Sequence, residues 1–231
     1  MKGVAVIPAR GGSKRIPKKN IKDFCGKPII AYSIEAAVKC GIFEEVMVST
    51  DSEEIAQIAQ KYGANIPFYR SEKMSDDYAT TAQVVMEVLQ EYDKRGKHFD
   101  YAFCLYPTAP FLTPEVVRES AQLMEEKKPD EIIAVVEFSY PPQRCYSIDE
   151  AGKMAYKYKE YVNSRSQDLE KLYHDAGQFY IYRTEAFYRR GGQIVDEIMP
   201  MILSPLVVQD IDTEDDWLLA EAKYKLWNTK Q

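Results

Sequence analysis

The chain has 231 residues, of which 45% are hydrophobic and 29% are charged, and this composition is typical of a soluble globular protein with a substantial core. The length of the chain predicts one domain over residues 1–231. No apolar run approaches the roughly 20 residues that span a bilayer, so we expect a cytoplasmic protein and not a membrane protein. The net charge of −6 argues against a protein that binds nucleic acid through phosphate contacts, and two histidines with four scattered cysteines argue against a zinc site.

The first part of the chain alternates predicted strands with predicted helices. Apolar periodicity and capping residues predict strand 3–9, helix 28–40, strand 44–50, helix 51–62, strand 65–70, helix 80–95, strand 101–106, a helix from 114, and strand 131–138. Pro28 is expected to open the first helix, Gly41 to close it, and Asp51 or Ser52 to cap the second. Strands separated by helices of this length indicate βαβ units, so we predict an α/β fold with a mostly parallel sheet.

The segment from Tyr140 to Tyr188 has a different character. It contains nine tyrosines and no clear helical period before its last residues. We therefore predict that residues 140–190 form β-hairpins or an arm added to the sheet and close to the substrate. A strand over 206–211 and an amphipathic helix over 213–227 are expected to complete the fold.

A cluster of positive charge lies directly after the first predicted strand. Six of the 30 basic residues, and none of the 36 acidic ones, lie between Arg10 and Lys22. In an open parallel sheet, ligands bind at the carboxyl ends of strands, which is where this basic loop is expected to lie. Local positive charge on an acidic chain suits a small anionic ligand better than a long polyanion.

The composition of the basic loop suits nucleotide phosphates. Gly11 and Gly12 allow backbone N–H groups to approach an anion closely. Arg10 can hold a phosphate through two hydrogen bonds, while Lys14 and Lys19 add point charges. The chain has neither GxGxxG nor GxxxxGK[ST], which excludes the usual dinucleotide and P-loop motifs. A solvated loop without a ligand is the alternative, but the order of strand, glycines and cations favours a triphosphate site.

Residues 9–20, ARGGSKRIPKKN, resemble the signature of the cytidylyltransferases that activate eight- and nine-carbon 2-keto acid sugars, a family that includes the CMP-sialic acid synthetases. The resemblance continues through GKPIIAYSIEAA, VSTDSEEIA, SDDYATTAQVV, YPTAPF and QDIDTEDDW. PPQRCYS and RSQDLEKLYHDAGQFY are most similar to the branch that acts on pseudaminic acid. The resemblance implies a Rossmann-like nucleotidyltransferase fold with a β-rich dimerisation arm, a homodimer, and Mg²⁺-assisted transfer of CMP from CTP to the sugar.

The resemblance also implies which residues form the nucleotide site. Those expected to bind the nucleotide are Ala9, Arg10, Gly11, Gly12, Ser13, Lys14, Lys19, Asn20, Arg70, Thr80 and Thr81. Arg10 and Lys19 would stabilise the α-phosphate and the departing pyrophosphate, so with Asp212 they are the predicted catalytic residues. By themselves, Arg70 could be a surface arginine and Thr80 and Thr81 could be helix caps.

Asp210 and Asp212 are candidate metal ligands. If residues 206–211 form a strand, positions i and i+2 point to one face, roughly 6–7 Å apart. Two carboxylates suit Mg²⁺, which prefers oxygen ligands and keeps several waters. Asp212 could equally be the N-cap of the last helix. The resemblance favours metal binding, because the pair matches the metal-binding aspartates of the sialic acid enzymes.

The other half of the cleft is expected to bind the sugar. Tyr106 and Thr108 follow a strand end, and Tyr106 and Leu112 stand where the sialic acid enzymes carry glutamine and arginine. The departures at Tyr106 and Leu112 predict a less polar pocket that favours pseudaminic acid. His174 and Asp175, which replace part of an Arg-Pro-Asn-Gly run, are candidates to bind sugar hydroxyls or an acylamino group, and a plain structural role is the alternative for His174. Arg144 and Arg165 are further candidates, for the sugar carboxylate. Legionaminic acid and N-acetylneuraminic acid remain alternative substrates. A non-catalytic nucleotide-binding protein of the same fold remains the alternative function.

Overall fold

The computed structural model describes residues 2–229 and contains a central sheet covered by helices. The strands are β1 (Gly3–Pro8), β2 (Asp23–Phe24), β3 (Lys27–Pro28), β4 (Glu45–Ser49), β5 (Tyr101–Leu105), β6 (Glu131–Glu137), β7 (Tyr146–Ile148), β8 (Met154–Tyr156), β9 (Tyr173–Arg183) and β10 (Ile198–Ile202). The α-helices are α1 (Ile30–Cys40), α2 (Glu53–Lys61), α3 (Thr81–Lys94), α4 (Pro114–Lys127), α5 (Thr184–Arg189) and α6 (Glu214–Asn228). Across residues 2–229, no helix combines the length and apolar character that crossing a membrane requires.

The central sheet has the strand order β10-β6-β9-β5-β1-β4. β1 pairs in parallel with both β4 and β5, and β10 pairs in parallel with β6. β9 is antiparallel to its neighbours β5 and β6, so the sheet is mixed but mostly parallel. The predicted fold class is confirmed.

Alternate residues of β1 contribute to cores on both faces of the sheet. Ala5 and Ile7 pack in a core cluster with apolar residues of α1 and α4. Val4 and Val6 pack on the opposite face, in a cluster with residues of α3 and α5. Side chains alternate along a strand, so burial of both faces requires the continuous apolar run that marks β1 in the sequence.

Several predicted helix ends are confirmed by their caps. Gly41 follows α1 with a φ of 71°, the left-handed conformation that favours glycine. Ser52 caps α2 by accepting a hydrogen bond from the backbone N–H of Ile55. α1 begins at Ile30, two residues later than predicted, because Pro28 pairs with Asp23 in the small antiparallel ribbon of β2 and β3.

Two predicted strands are wrong. Residues 65–70 make only an isolated bridge between Asn65 and Met47, since Pro67 has no N–H to continue a ladder. Residues 206–211 are not a strand, because the carbonyls of Val207 and Val208 accept side-chain hydrogen bonds instead of ladder bonds. The strand in this part of the chain is β10, an edge strand that tolerates a proline.

The tyrosine-rich segment divides into two parts. β7 and β8 form an antiparallel hairpin outside the central sheet, where the rings of Tyr146 and Tyr156 lie 4.5 Å apart. β9 returns to the centre of the main sheet, and α5 follows it directly. The predicted hairpin is therefore present, but residues 173–189 belong to the main body. The role of the hairpin in dimerisation stays a prediction.

Candidate active site

A cavity of about 530 Å³ opens at the carboxyl ends of β1 and β5. The chain leaves β1 for β4 on one side and later returns to β5 on the other, so the cavity lies where the order of strands reverses. Such a switch point is the usual ligand site of an open α/β sheet. The predicted site residues that line it are Arg10, Ser13, Lys14, Lys19, Asn20, Arg70, Thr81, Tyr106, Thr108, Asp210 and Asp212.

Four cations of the basic loop line the cavity: Arg10, Lys14, Arg15 and Lys19. Arg10 Nη1 lies 2.6 Å from Asp77 Oδ1, and Lys14 Nζ bonds to the other oxygen of the same carboxylate. These two cations lower the pKa of Asp77. Asn20 holds the loop from beneath, with its Nδ2 donating to the Arg10 carbonyl at 3.0 Å. Arg10 and Lys14 thus both bind the carboxylate of Asp77 at the cavity.

Some predicted nucleotide residues support the loop and do not line the cavity. The Gly11 N–H donates to Asp51 Oδ1 at 2.8 Å, and a Cβ at Gly11 would lie 3.2 Å from Ser52 Cβ. Ala9 is buried, and its N–H donates to the Ser49 carbonyl. Gly12 is exposed on the same loop. These contacts account for the close packing of the turn. They do not show that its backbone N–H groups bind a ligand.

Two neighbouring threonines at the start of α3 have different roles. Thr80 is the N-cap, and it forms a capping box with Gln83. Thr81, one residue later, lines the cavity, and its hydroxyl lies 3.1 Å from the hydroxyl of Tyr106. The capping interpretation therefore holds for Thr80 and not for Thr81.

Arg70 is not a surface arginine. Its side chain is 8% exposed, and its Nη2 donates to the Ser49 carbonyl at 2.6 Å while its Nε donates to Ser49 Oγ at 3.1 Å. Burial lowers its pKa to about 10. The guanidinium is therefore anchored at the end of β4, where it forms part of the cavity wall.

Asp210 and Asp212 both line the cavity, but from a loop and not from a strand. Thr213 is the N-cap of α6, so the capping alternative for Asp212 is wrong. Asp212 Oδ1 lies 2.8 Å from Arg15 Nη2 and 3.5 Å from Lys19 Nζ. Lys19 is held in place by a 2.6 Å bond from its Nζ to the Ile211 carbonyl. The aspartate loop and the basic loop therefore face each other across the same cavity.

The aspartate pair has the donor chemistry of a Mg²⁺ site. Burial raises the pKa of Asp210, and the neighbouring carboxylate of Asp212 adds to this effect, so a bound cation would stabilise the charged form of Asp210. Among residues 2–229 no group of three or more His, Cys, Asp or Glu side chains is placed to hold a metal. Two carboxylates beside an open cavity fit an ion that keeps several waters and takes phosphate oxygens from its substrate.

Comparison with known proteins identifies the family. The model of a family described as cytidylyltransferase matches residues 4–207. This chain belongs to the cytidylyltransferase family. It is a CTP-dependent nucleotidyltransferase, and the arrangement of basic loop and aspartate pair is consistent with that chemistry.

Two relatives and one solved structure refine this placement. A pseudaminic acid cytidylyltransferase from Campylobacter jejuni is 41% identical over 226 residues, which cover 98% of this chain and 97% of that protein. A CMP-N,N'-diacetyllegionaminic acid synthase from Legionella pneumophila is 34% identical, with coverage of 98% and 97%. The structure of a CMP:2-keto-3-deoxy-manno-octonic acid synthetase complexed with CTP has a TM-score of 0.70 at 20% identity, covers 99% of this chain and 100% of its own, and shows the shared fold.

The predicted sugar residues of this cytidylyltransferase are only partly brought together. Tyr106 and Thr108 line the cavity, whereas Leu112 packs in the hydrophobic core and cannot make the pocket less polar. His174 and Asp175 lie on β9, paired with Val136 and Val135 of β6, outside the cavity wall. The sequence comparison with sialic acid enzymes could not distinguish a pocket residue from a core residue at position 112.

The two other arginines proposed for the sugar carboxylate also lie away from the cavity. Arg144 Nη1 donates to Ser166 Oγ at 3.3 Å, and Arg165 pairs with Asp168 at 2.7 Å. Both contacts lie within the segment that carries the hairpin. Within the described chain, neither arginine is brought to the aspartate pair or the basic loop, so their role as sugar ligands stays a prediction.

Sequence reasoning missed several residues of the wall. Arg15 and Asp77 are the charged ones, and the others are Pro8, Ala79, Val84 and Pro107. Arg15 belongs to the basic run and could have been included by charge alone. Asp77 lies 67 positions from Arg10, and only its place in the SDDYATT motif hinted at a role.

Gly177 sets the position of Asp210. Its φ is +62°, and a Cβ there would lie 3.3 Å from Asp210 Cγ. We expect Gly177→Ala to lose roughly 1–2 kcal/mol of stability from the left-handed conformation and about tenfold in turnover from displacement of Asp210. Gly152→Ala is the matched control, because Gly152 has a φ of +76° with open space around it. Thermal unfolding and pyrophosphate release test this, and equal activity in the two variants would contradict it.

Proposed function

We propose that this protein transfers CMP from CTP to the anomeric hydroxyl of a nine-carbon 2-keto acid sugar, with pseudaminic acid as the substrate. The proposal rests on one observation: the basic loop and the Asp210–Asp212 loop line the same cavity. The two relatives that cover almost the whole chain are named for pseudaminic and legionaminic acids, which supports an acid sugar of this kind.

The reaction needs positioning and charge neutralisation more than a covalent intermediate. The anomeric hydroxyl oxygen attacks the α-phosphorus and loses its proton to solvent, the bond to the bridging oxygen breaks, and pyrophosphate leaves with the electron pair. Negative charge grows on the phosphate oxygens as this happens, and preorganised cations stabilise it. Arg10 and Lys19 would perform this task, and the lining of the cavity by both cations supports it: Arg10 lies beside Asp77 and Lys19 beside Asp212.

Asp210 and Asp212 would hold Mg²⁺. The ion supplies charge neutralisation to the phosphate oxygens of the bound nucleotide. The chain's own contribution is to keep both carboxylates together and to hold Lys19 and Arg15 next to Asp212. Asn20 and Arg70 would act indirectly. Asn20 holds the basic loop, and Arg70 is fixed in the cavity wall around the nucleotide.

A panel of sugar acids tests the substrate. With CTP and Mg²⁺, we expect pseudaminic acid to give the highest kcat/KM and N-acetylneuraminic acid to fall about 10²-fold below it, the size of discrimination that a pocket achieves against an added hydroxyl. Legionaminic acid is the second candidate, and the 34% identical relative is the observation in its favour. If N-acetylneuraminic acid is the best substrate, the assignment of the sugar is wrong and cytidylyl transfer survives.

We also propose a cytoplasmic homodimer. The hairpin exposes Tyr146, Ile148 and Met154, and exposed apolar and aromatic side chains of this kind are typical of interfaces. Light scattering at micromolar concentration is expected to give twice the mass of the chain. Ile148→Asp should shift the equilibrium to monomer, whereas Val195→Asp, which changes an even more exposed residue outside the hairpin, should not. A monomeric mass for the unaltered protein would count against the proposal.

A further inference from the structure

We propose that Trp217 is a positioning residue, which holds the Asp210–Asp212 loop against the basic loop through a third hydrophobic cluster. The inference rests on the proposed function, because it concerns how the chain keeps the two charged loops of the cavity together. Trp217 does not line the cavity, so its effect on the reaction passes through residues that do.

The third cluster is separate from the two cores on the faces of the sheet. It contains one isoleucine from each charged loop. Ile16 follows Arg15 in the basic loop, Ile211 lies between the two aspartates, and both isoleucines are 0% exposed. The other buried members are Phe24, Ile29, Tyr32, Trp217 and Ala220. Each loop therefore presents charged side chains to the cavity and an apolar side chain to a shared core, whose dense packing transmits displacements.

Trp217 anchors the first turn of α6 in this cluster. Its side chain is 2% exposed, and its ring meets the ring of Phe24 edge to face, with 5.5 Å between the ring centres. Phe24 lies in β2, directly after the basic run, and its carbonyl accepts the Tyr32 hydroxyl at 2.7 Å. Lys22, the last cation of the basic run, has its Nζ 4.6 Å from the centre of the Trp217 ring. Trp217 therefore joins α6 to the chain that continues from the basic loop.

The first turn of α6 in turn holds the backbone of Asp212. Asp216 Oδ2 accepts the N–H of Asp212 at 3.1 Å and the N–H of Thr213 at 2.8 Å. The carbonyl of Ile211 accepts a hydrogen bond from Lys19 Nζ at 2.6 Å. A shift of this turn would therefore move the Asp212 carboxylate and the Lys19 ammonium together. A displacement of about 1 Å can cost about 10²-fold in rate when it misplaces groups that act on the reacting atoms.

Calorimetric titration with CTP, in the presence of Mg²⁺ and without a sugar, tests the inference without turnover. We expect Trp217→Leu to weaken CTP binding and to lower kcat/KM, each about tenfold, because the two loops are no longer held in place. Trp217→Phe keeps a ring against Phe24 and should stay within about threefold of the unaltered protein. Phe99→Leu is the matched control, since Phe99 is also buried but precedes β5 at the end of the strand away from the cavity. It should lower the midpoint of thermal unfolding and change CTP binding less than about twofold.

Two further measurements separate positioning from loss of packing. In an Asp212→Asn background, Trp217→Leu should lower kcat/KM by less than about threefold more, because Trp217 acts through Asp212. Ile211→Val removes one methyl group from the same cluster and is mild enough to leave the protein folded, so it keeps the test decisive should Trp217→Leu not fold. It should weaken CTP binding about two- to threefold. Ile181→Val, which makes the same change at a fully buried residue of the sheet core, should not.

Three results would overturn the inference. They are unchanged CTP binding in Trp217→Leu or, where that variant does not fold, in Ile211→Val; equal weakening in the control variants; and a loss in Trp217→Leu that multiplies fully with that of Asp212→Asn. The CTP titration uses no sugar. Failure of every sugar acid to be turned over would therefore contradict the proposed function, while the titration would still decide the role of Trp217.

Discussion

Arg10→Ala and Lys19→Ala are each expected to reduce kcat/KM by roughly 10²-fold or more, the usual cost of removing a preorganised group from a site of developing negative charge. Both cations line the cavity, and each faces a carboxylate that belongs to another part of the chain. The reduction should appear in single-turnover formation of the CMP-sugar as well as in steady-state pyrophosphate release.

Lys18→Ala provides the control for these two variants. Lys18 lies in the same loop, but its Nζ pairs with Glu54 on α2 and it does not line the cavity. We expect its activity to stay within about twofold of the unaltered protein, because Lys18 does not line the cavity and its exposed ion pair contributes little to stability. Thermal unfolding should show little change in Arg10→Ala and a larger one in Lys19→Ala, which also loses the bond to Ile211. Near-normal turnover in both Arg10→Ala and Lys19→Ala would refute a phosphate-binding role for the loop.

Asp212→Asn is expected to remove most of the activity at low Mg²⁺, with a loss of about 10²-fold and a shift of the Mg²⁺ requirement to higher concentration. The amide keeps the shape of the side chain and loses its charge. Because Thr213 and not Asp212 caps α6, the substitution should leave the helix intact. A Mg²⁺ titration of activity, with circular dichroism as a check on folding, measures both effects.

Glu214→Gln is the matched control for the aspartate. Glu214 also faces the basic loop, where its Oε2 lies 2.6 Å from Lys22 Nζ, but it does not line the cavity. Loss of this charge should leave the Mg²⁺ dependence unchanged. Full activity of Asp212→Asn at low Mg²⁺, or an equal loss in Glu214→Gln, would show that Asp212 is not a metal ligand.

The parts of the fold that the sequence predicted are those fixed by local chemistry. β1 follows from a continuous apolar run, and the ends of α1, α2 and α3 follow from Gly41, Ser52 and Thr80. The strand at 206–211 failed because local apolar residues cannot show which backbone groups find a ladder partner. There, Gln178 and Lys223 take the carbonyls that a neighbouring strand would need.

The basic loop and the aspartate pair of the candidate site were predictable from the sequence, and the rest of the cavity wall was much less so. A run of basic residues directly after a strand is easy to recognise in a sequence. Asp210 and Asp212 were recognisable by their spacing and by their resemblance to known metal ligands. Asp77 reaches the cavity through a contact with Arg10, which is far from it in the chain, and no local pattern records such a contact. Leu112 shows the converse error, since the arginine that the sialic acid enzymes carry at its position suggested a pocket residue, and the structure places Leu112 in the core.

Sugar-dependent pyrophosphate release is the most direct measurement of the central claim. The unaltered protein, with CTP and Mg²⁺, should release pyrophosphate and form an equal amount of CMP-sugar when pseudaminic acid is added, and should release almost none without a sugar acid. Failure of pseudaminic, legionaminic and N-acetylneuraminic acids alike to stimulate release, or release at the same rate without any of them, would contradict transfer of CMP to an acid sugar.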